Sequence, residues 1–451
     1  VNEALGGDAV PLEGVTTLVL TSRLIPGLDG GYTVATLQRA RLLADAGAQV
    51  HLLSVDPGTP TDHAAHREAF VAAGAAASVD AFRNLFDDAA ADPRWLFDAA
   101  TPGASTPGVA YREIPDAAGR PLLALPVIAG DPDWHLTKAA VVVHAPDGDR
   151  ILSGFGGLYL AWLAHVVAGL AQPIVLVCES RQLGELLATD PPHGVRIVHT
   201  IHTTHLSSPY GPDAPVNDLW RRWFAVADRF DAVLWPTAQQ RADAEERFGA
   251  HPGATVLPNA APSAVDDPSP ADPHRVVLLG RLAPGKRIDH AIRAWSRVIA
   301  AVPGARLEIW GDGALRDDLQ RLIDERGLAA SVTLEGRSDA GPALFDGAAL
   351  MVQTTAFEGQ GLAALEAMSR GVPVVSYDVR YGPRDQLATG GGVLVPDGDE
   401  RAFADAVVEL LQNPGARERA ARIALERAAD FAPSRIRDDL AALVRRILAT
   451  R

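Results

Sequence analysis

One cysteine, Cys178, stands in 451 residues. No intrachain disulfide can form, and structural zinc sites needing two or more cysteines are excluded. Long apolar runs are also missing. No stretch of about 18 uninterrupted apolar residues occurs, so no membrane-spanning helix is expected. The longest candidate, 158–177, is broken by His165, Gln172 and Pro173 and reads as a buried helix running into a strand. No secretory signal is recognised, and residues 1–14 read as a loose start. A soluble cytoplasmic protein, at most peripheral to a membrane, is the expectation. Positive charge is in deficit, with a formal net charge of −15. That argues against general nucleic-acid binding and leaves room only for a local basic groove. No short-period repeat is visible.

What is present fits two globular domains, since the composition is 47% hydrophobic and 22% charged over a length that one core rarely fills. In the first half, Val15–Leu20 reads as a strand. Val34, Leu37, Ala40 and Ala44 then recur at helical spacing, Gly47 stops that helix, and Val50–Leu53 is the next strand. This is a βαβ unit. From about 75 to 149 the rhythm breaks into short strands with hairpin turns at 116–119 and 147–148, read as a small antiparallel insertion. Alternation returns with strands at 174–177, 197–201 and 232–235. Residues 259–273, rich in Pro, Ala and Asp, read as a linker between a first domain, 1–258, and a second, 274–433. The second domain alternates strands at 276–280, 307–310 and 332–334 with helices at 288–299 and 314–326. A last helix, 434–448, closes the chain. The fold class is α/β, with two Rossmann-like doubly wound domains facing a cleft, where ligands of open parallel sheets bind.

The chemistry concentrates in Phe357-Glu358-Gly359-Gln360-Gly361-Leu362, with Glu366 following after seven residues from Glu358. An apolar strand precedes this loop and a helix follows it, ending before Gly371. Backbone N–H groups at such a helix start lack intrahelical partners and favour an anion. Two carboxylates beside it can accept bonds from hydroxyls. Phosphate between hydroxyl-binding groups describes a nucleotide-sugar site. A second strand–loop–helix carries Gly280, Arg281, Lys286 and Arg287, where Arg281 and Lys286 can grip a diphosphate. Gly30 and Gly31 open the first helix and let backbone approach a ligand. His199, His202 and His205 end a strand at the cleft. No carboxylate or cysteine joins them locally, so no metal site is read there. Three Asp-x-Asp tripeptides, at 131–133, 147–149 and 397–399, read as turns or caps.

The Glu358–Glu366 segment resembles the signature of retaining glycosyltransferases of the GT-B fold, family 4. Arg281 and Lys286 map onto that family's diphosphate loop, and Gly30 and Gly31 onto its first-domain glycine loop. Residues 237–240 and 257–260 match two further cleft segments. The resemblance implies Glu358, His202, Arg281 and Lys286 as catalytic residues. It implies Gly30, Gly31, Arg281, Lys286, Gly361, Leu362 and Glu366 as donor-binding residues. No metal and no cofactor are expected beyond the nucleotide-diphosphate sugar itself, a uridine one. One departure is Gln360, where the family usually has an aromatic residue. The run Tyr377–Arg384 is similar to that of poly(glycerol-phosphate) alpha-glucosyltransferases of wall teichoic acid. It implies a polyol-phosphate acceptor with His205, Arg380 and Arg384 on its side, and Arg23, Arg181, Arg221 and Arg222 as further groove cations. Two other readings remain open: a protein, lipid or small-molecule acceptor, or a catalytically silent partner that binds acceptor chains. In the resembled group the β-rich insertion can serve homo-oligomerisation, and the last helix crosses back onto the first domain.

Overall fold

The computed structural model describes residues 11–28 and 30–450. Most of the loose start expected at 1–14 lies outside the described residues. Its end is fixed, since Leu12 is fully buried and its N–H donates to the Ala46 carbonyl at 2.6 Å.

The first domain is built on a seven-stranded sheet. The order is Ala254–Val256, Ala232–Trp235, Val195–Thr200, Ile174–Cys178, Thr16–Thr21, Gln49–Ser54, Phe82–Asn84. Every pairing is parallel. Thr16–Thr21 and Ile174–Cys178 are buried at every position, as strands covered by helices on both faces must be. The chain order reverses between these two strands. A crevice therefore opens beyond their carboxyl ends, where Gly30, Glu179 and His202 lie.

An antiparallel five-stranded sheet is inserted in this domain, ordered Thr101–Pro102, Gly148–Leu152, Val141–Ala145, Pro121–Pro126, Tyr111–Pro115. Leu123, Leu125, Val141 and Val143 pack from it into the domain core with the helix Gly154–Ala168. The insertion is shorter than expected. Phe82–Asn84 is the seventh strand of the parallel sheet, and the antiparallel part begins only at Thr101. Three residues are too few to display a period, which is why that strand was hidden in the sequence.

The second domain carries a parallel six-stranded sheet, ordered Val332–Gly336, Arg306–Trp310, Asp272–Leu279, Ala348–Gln353, Val374–Tyr377, Gly392–Val395. Its order reverses between Asp272–Leu279 and Ala348–Gln353. The loops leaving these neighbouring strands are the Arg281–Lys286 loop and the Glu358–Gly361 loop, so strand order alone brings the two motifs together.

The proline-rich crossing is tied down. Ala261 N–H donates to Phe431 O at 2.8 Å and Val265 N–H to Ser369 O at 3.0 Å. Ala261, Leu365 and Phe431 form a small apolar cluster where the chain passes between domains twice. After the second passage, the helix Pro433–Ala449 buries Ile436, Leu440, Leu443 and Val444 against the first domain, beside Leu37, Ala40 and Leu43 of the helix Gly31–Asp45. Among the described residues no helix is long and apolar enough to cross a membrane.

Leu443 is fully buried in this seam. Leu443→Ala removes apolar contact and leaves a cavity, so we expect a loss of about 2–5 kcal/mol, read as a lower urea midpoint.

Candidate functional site

Two helix starts meet across the crevice. The helix Gly31–Asp45 begins at Gly30 and the helix Leu362–Ser369 at Gly361, and neither has a side chain capping it. A Cβ built on Gly31 would lie 3.6 Å from Leu362 Cδ1, so the two starts are in contact range. Uncapped first-turn N–H groups from both domains thus border one space, the arrangement that favours a diphosphate. Gly361 has φ +88°, which a side chain would strain. Gly359 is required by proximity, since its Cβ would lie 2.3 Å from His202 O. That close approach seats the carboxylate loop against the first domain.

The charged groups follow from these positions. Lys286 Nζ donates to Glu358 Oε1, in an ion pair that leaves both side chains partly exposed. Thr355 Oγ1 donates to Gly285 O at 3.2 Å and Ala356 N–H to the same carbonyl at 2.9 Å, which locks the two loops side by side. Arg281 is exposed and its side chain has no hydrogen-bond or ion-pair partner among the described residues, so its fork is free for a ligand. Glu366 lies one turn inside the helix and its carboxylate has no protein partner among the described residues. Burial pushes it up to about 7. A half-buried carboxyl without a partner, beside uncapped helix N–H groups, is suited to hydroxyl donors such as a ribose diol.

His202 lies on the first-domain side. Its Nε2 is 2.5 Å from Glu179 Oε2, and Tyr32 packs edge-on at 4.9 Å between centroids. Glu179 is fully buried and also takes Arg39 Nε at 2.8 Å. Sequence reading missed Glu179, Arg39 and Tyr32. A carboxylate directly after the apolar strand Ile174–Cys178 was the available signal. Gln360 is buried rather than presented to the cleft, and it bonds Asn259 in the crossing segment.

The three residues expected on the acceptor side are each engaged within the protein. His205 is fully buried among Phe224, Trp235 and Tyr381, both ring nitrogens lack partners, and burial lowers its pKa to about 4. It is a core residue, neutral because nothing there solvates a cation. Arg380 pairs with Asp243 across the domains, and Arg384 holds Asp378 at 2.7 Å. Of the other expected groove cations, Arg181 and Arg222 converge on Asp133 and Glu185, and Arg221 faces Asp218 at 3.6 Å. Residue spacing could not reveal these carboxylate partners, which are mostly remote in sequence. The same contacts occupy the Asp-x-Asp runs. Asp133 holds two arginines, Asp147 pairs with Arg150 in a hairpin, Asp397 takes Arg287, and Asp399 caps a helix through Ala402 N–H at 2.8 Å.

Residues 264–427 match the family model for glycosyl transferases group 1. The chain is 29% identical over 218 residues to the poly(glycerol-phosphate) alpha-glucosyltransferase of Bacillus subtilis, covering 47% of this chain and 32% of that relative. It thus spans about a third of that relative's length. Two solved structures share the whole architecture. The pneumococcal O-GlcNAc transferase GtfA, in complex with UDP and GlcNAc, superposes with a TM-score of 0.77 at 15% identity, over 97% of this chain and 99% of that one. A mutant of TarM from S. aureus, bound to fondaparinux, alpha-GlcNAc-glycerol and UDP, gives 0.72 at 17% identity, over 95% and 99%. At these identities they show the fold.

The raised Glu366 carboxyl gives a signed pH prediction. Between its ordinary value of 4.5 and about 7 the folded state keeps a proton that the unfolded state releases. Stability contributed by the neutral acid is therefore lost as pH rises through that window. Glu366→Gln cannot ionise. Its melting temperature minus that of the unsubstituted protein is expected to grow from pH 5 to pH 8 in thermal unfolding, and a difference that stays constant would contradict the burial of this carboxyl.

Proposed function

We propose, from the premise that this chain carries a group 1 glycosyltransferase domain within a GT-B fold, that it moves a hexosyl or N-acetylhexosaminyl group from a UDP-sugar to an acceptor hydroxyl with retention of configuration. The observation that carries the donor half is Glu366, an unpartnered, half-buried carboxyl inside an uncapped helix start, on the helix that follows the loop in which Lys286 meets Glu358. In this reading Glu366 accepts hydrogen bonds from the ribose and the N–H groups after Gly30 and Gly361 face the diphosphate. Arg281 and Lys286 neutralise that diphosphate as it leaves. Lys286 has three donors, so it can keep one bond to Glu358 while turning another to phosphate. Glu358, held in that way, receives hydroxyls of the donor sugar, with His202 opposite.

Arg281→Ala and Lys286→Ala should each lower turnover on the order of a hundredfold, as removal of preorganised charge stabilisation does. Measured donor hydrolysis and transfer close to normal in both variants would reject the diphosphate assignment. The cations and helix starts already supply positive potential, and the Asp-x-Asp runs are engaged in structural contacts. We therefore expect transfer to persist in excess chelator. Loss of transfer there, restored by one added divalent metal, would overturn the metal-independent reading.

For the acceptor, similarity to the B. subtilis enzyme supports a polyol-phosphate polymer. One observation favours the second reading, an uncharged or peptide acceptor: Arg181, Arg221, Arg222, Arg380 and Arg384 all carry carboxylate partners. Salt separates the two. A polyanion held by cations should lose affinity as ionic strength rises and screening shortens to about 8 Å, whereas a neutral acceptor should not. Transfer to glycerol-phosphate or ribitol-phosphate polymers is compared with transfer to neutral glycans and peptides at low and high salt. Salt-insensitive transfer to the neutral acceptors would reject the teichoic-acid reading and keep the glycosyltransferase one.

A further inference from the structure

A continuous series of buried and partly buried polar contacts leads from the carboxylate loop, through the interdomain crossing, to the cleft histidine. It begins at Gln360, which is 4% exposed. Its Oε1 accepts from Asn259 N–H at 2.7 Å and from Asn259 Nδ2 at 3.0 Å, while its Nε2 donates to Asn259 O at 3.0 Å. One side-chain amide thus satisfies both polar groups of one backbone residue. Asn259 Oδ1 in turn accepts from Arg39 Nη2 at 3.0 Å. Arg39 is 3% exposed and donates through Nε to Glu179 Oε1 at 2.8 Å. The other oxygen of Glu179 meets His202 Nε2 at 2.5 Å. Asn259 and Glu179 each use both polar atoms of their side chains and Arg39 uses two of its nitrogens, so none of the three can turn without breaking a bond of the series.

The far end of the series has a chemical consequence. A buried carboxylate accepts, so the proton of the uncharged imidazole resides on Nε2. Nδ1 is then a bare acceptor. It has no partner among the described residues and is not sealed from solvent, and the side chain keeps 13% of its surface exposed.

We propose that Gln360, Asn259, Arg39 and Glu179 are positioning residues that hold His202 with Nδ1 presented to the cleft as the acceptor for a sugar hydroxyl. Through them, the seating of the carboxylate loop and the tautomer of the histidine are set together. The identity of the hydroxyl's owner rests on the glycosyltransferase reading above, whereas the tautomer is a property of the free protein. Gln360 ties the carboxylate loop to the crossing segment, and Arg39 holds that same segment from the first domain.

The test uses the full chain labelled with 15N-histidine, with His202→Ala assigning the ring signals. The unsubstituted protein should show a protonated Nε2 and a bare Nδ1. Glu179→Gln, whose amide can donate as well as accept, should mix the tautomers. Gln360→Leu should mix them less, in the same direction. Glu179→Gln leaves Arg39 without its counter-charge. Should it fail to fold, Gln360→Leu, which removes no charge, carries the test. Kinetics with UDP-glucose and UDP-N-acetylglucosamine supply the second readout. Gln360→Leu should lower kcat about tenfold with KM for the donor within about twofold, and should cost nothing further in a His202→Ala background. Ring nitrogens unmoved by the folded variants, or losses that multiply in the double variant, overturn the relay. If neither donor turns over while the ring nitrogens respond as stated, the donor reading fails and the relay stands.

Discussion

Glu179, a carboxylate with no exposed surface, is pinned between the guanidinium of Arg39 and the imidazole of His202. Such a charge is tolerable only when fully paired, and removing one partner of a buried pair typically costs about 3–5 kcal/mol. Arg39 cannot be spared by the helix Gly31–Asp45, nor His202 by the loop after Val195–Thr200. The two elements are therefore fixed relative to the end of Ile174–Cys178. Because Arg39 also bonds Asn259, the constraint reaches the crossing between the domains, and through Gln360 it reaches the carboxylate loop. The buried charge is thus linked by hydrogen bonds to the place where the two domains meet.

Backbone proximity complements it. Gly359 lies against the carbonyl of His202, where any Cβ would collide. Gly361 adopts a left-handed conformation that turns the chain into the helix Leu362–Ser369 with its first N–H groups unclaimed. The loop between Glu358 and Leu362 thus makes close contact on one side and leaves an uncapped helix start on the other. Lys286 and Glu358 rest against each other there, while Arg281 and Glu366 have no protein partner among the described residues. A site with two satisfied groups and two unsatisfied ones resembles a binding surface more than a structural ion-pair network, in which all four would be engaged.

Charge elsewhere is used differently. Asp133 gathers Arg181 and Arg222, Asp243 takes Arg380, and Asp378 takes Arg384. These pairs spread an acidic chain's few cations into seams between elements instead of collecting them on one face. Asp243 with Arg380 even bridges the two domains. Arg281, whose side chain has no carboxylate partner among the described residues, is correspondingly distinct from them.

The alternation of apolar strands and helices, the two-domain division and the carboxylate loop were legible in the sequence. Each depends on local periodicity or on residues within ten positions of one another. Arg281 and Lys286 were legible for the same reason, since a strand, a short loop and a helix place them without long-range information. The burial of His205 was not, because spacing puts it beside His202 while packing turns it among Phe224, Trp235 and Tyr381. Arg380 and Arg384 looked free because Asp243 and the geometry around Asp378 are not visible from spacing. The strand Phe82–Asn84 was too short to show a period. Sequence by itself determined which segments form strand–loop–helix units with glycines and cations in the loop. Only the tertiary structure decided which charges would be left without partners, since pairing depends on side chains brought together from as far apart as Arg39 and Glu179.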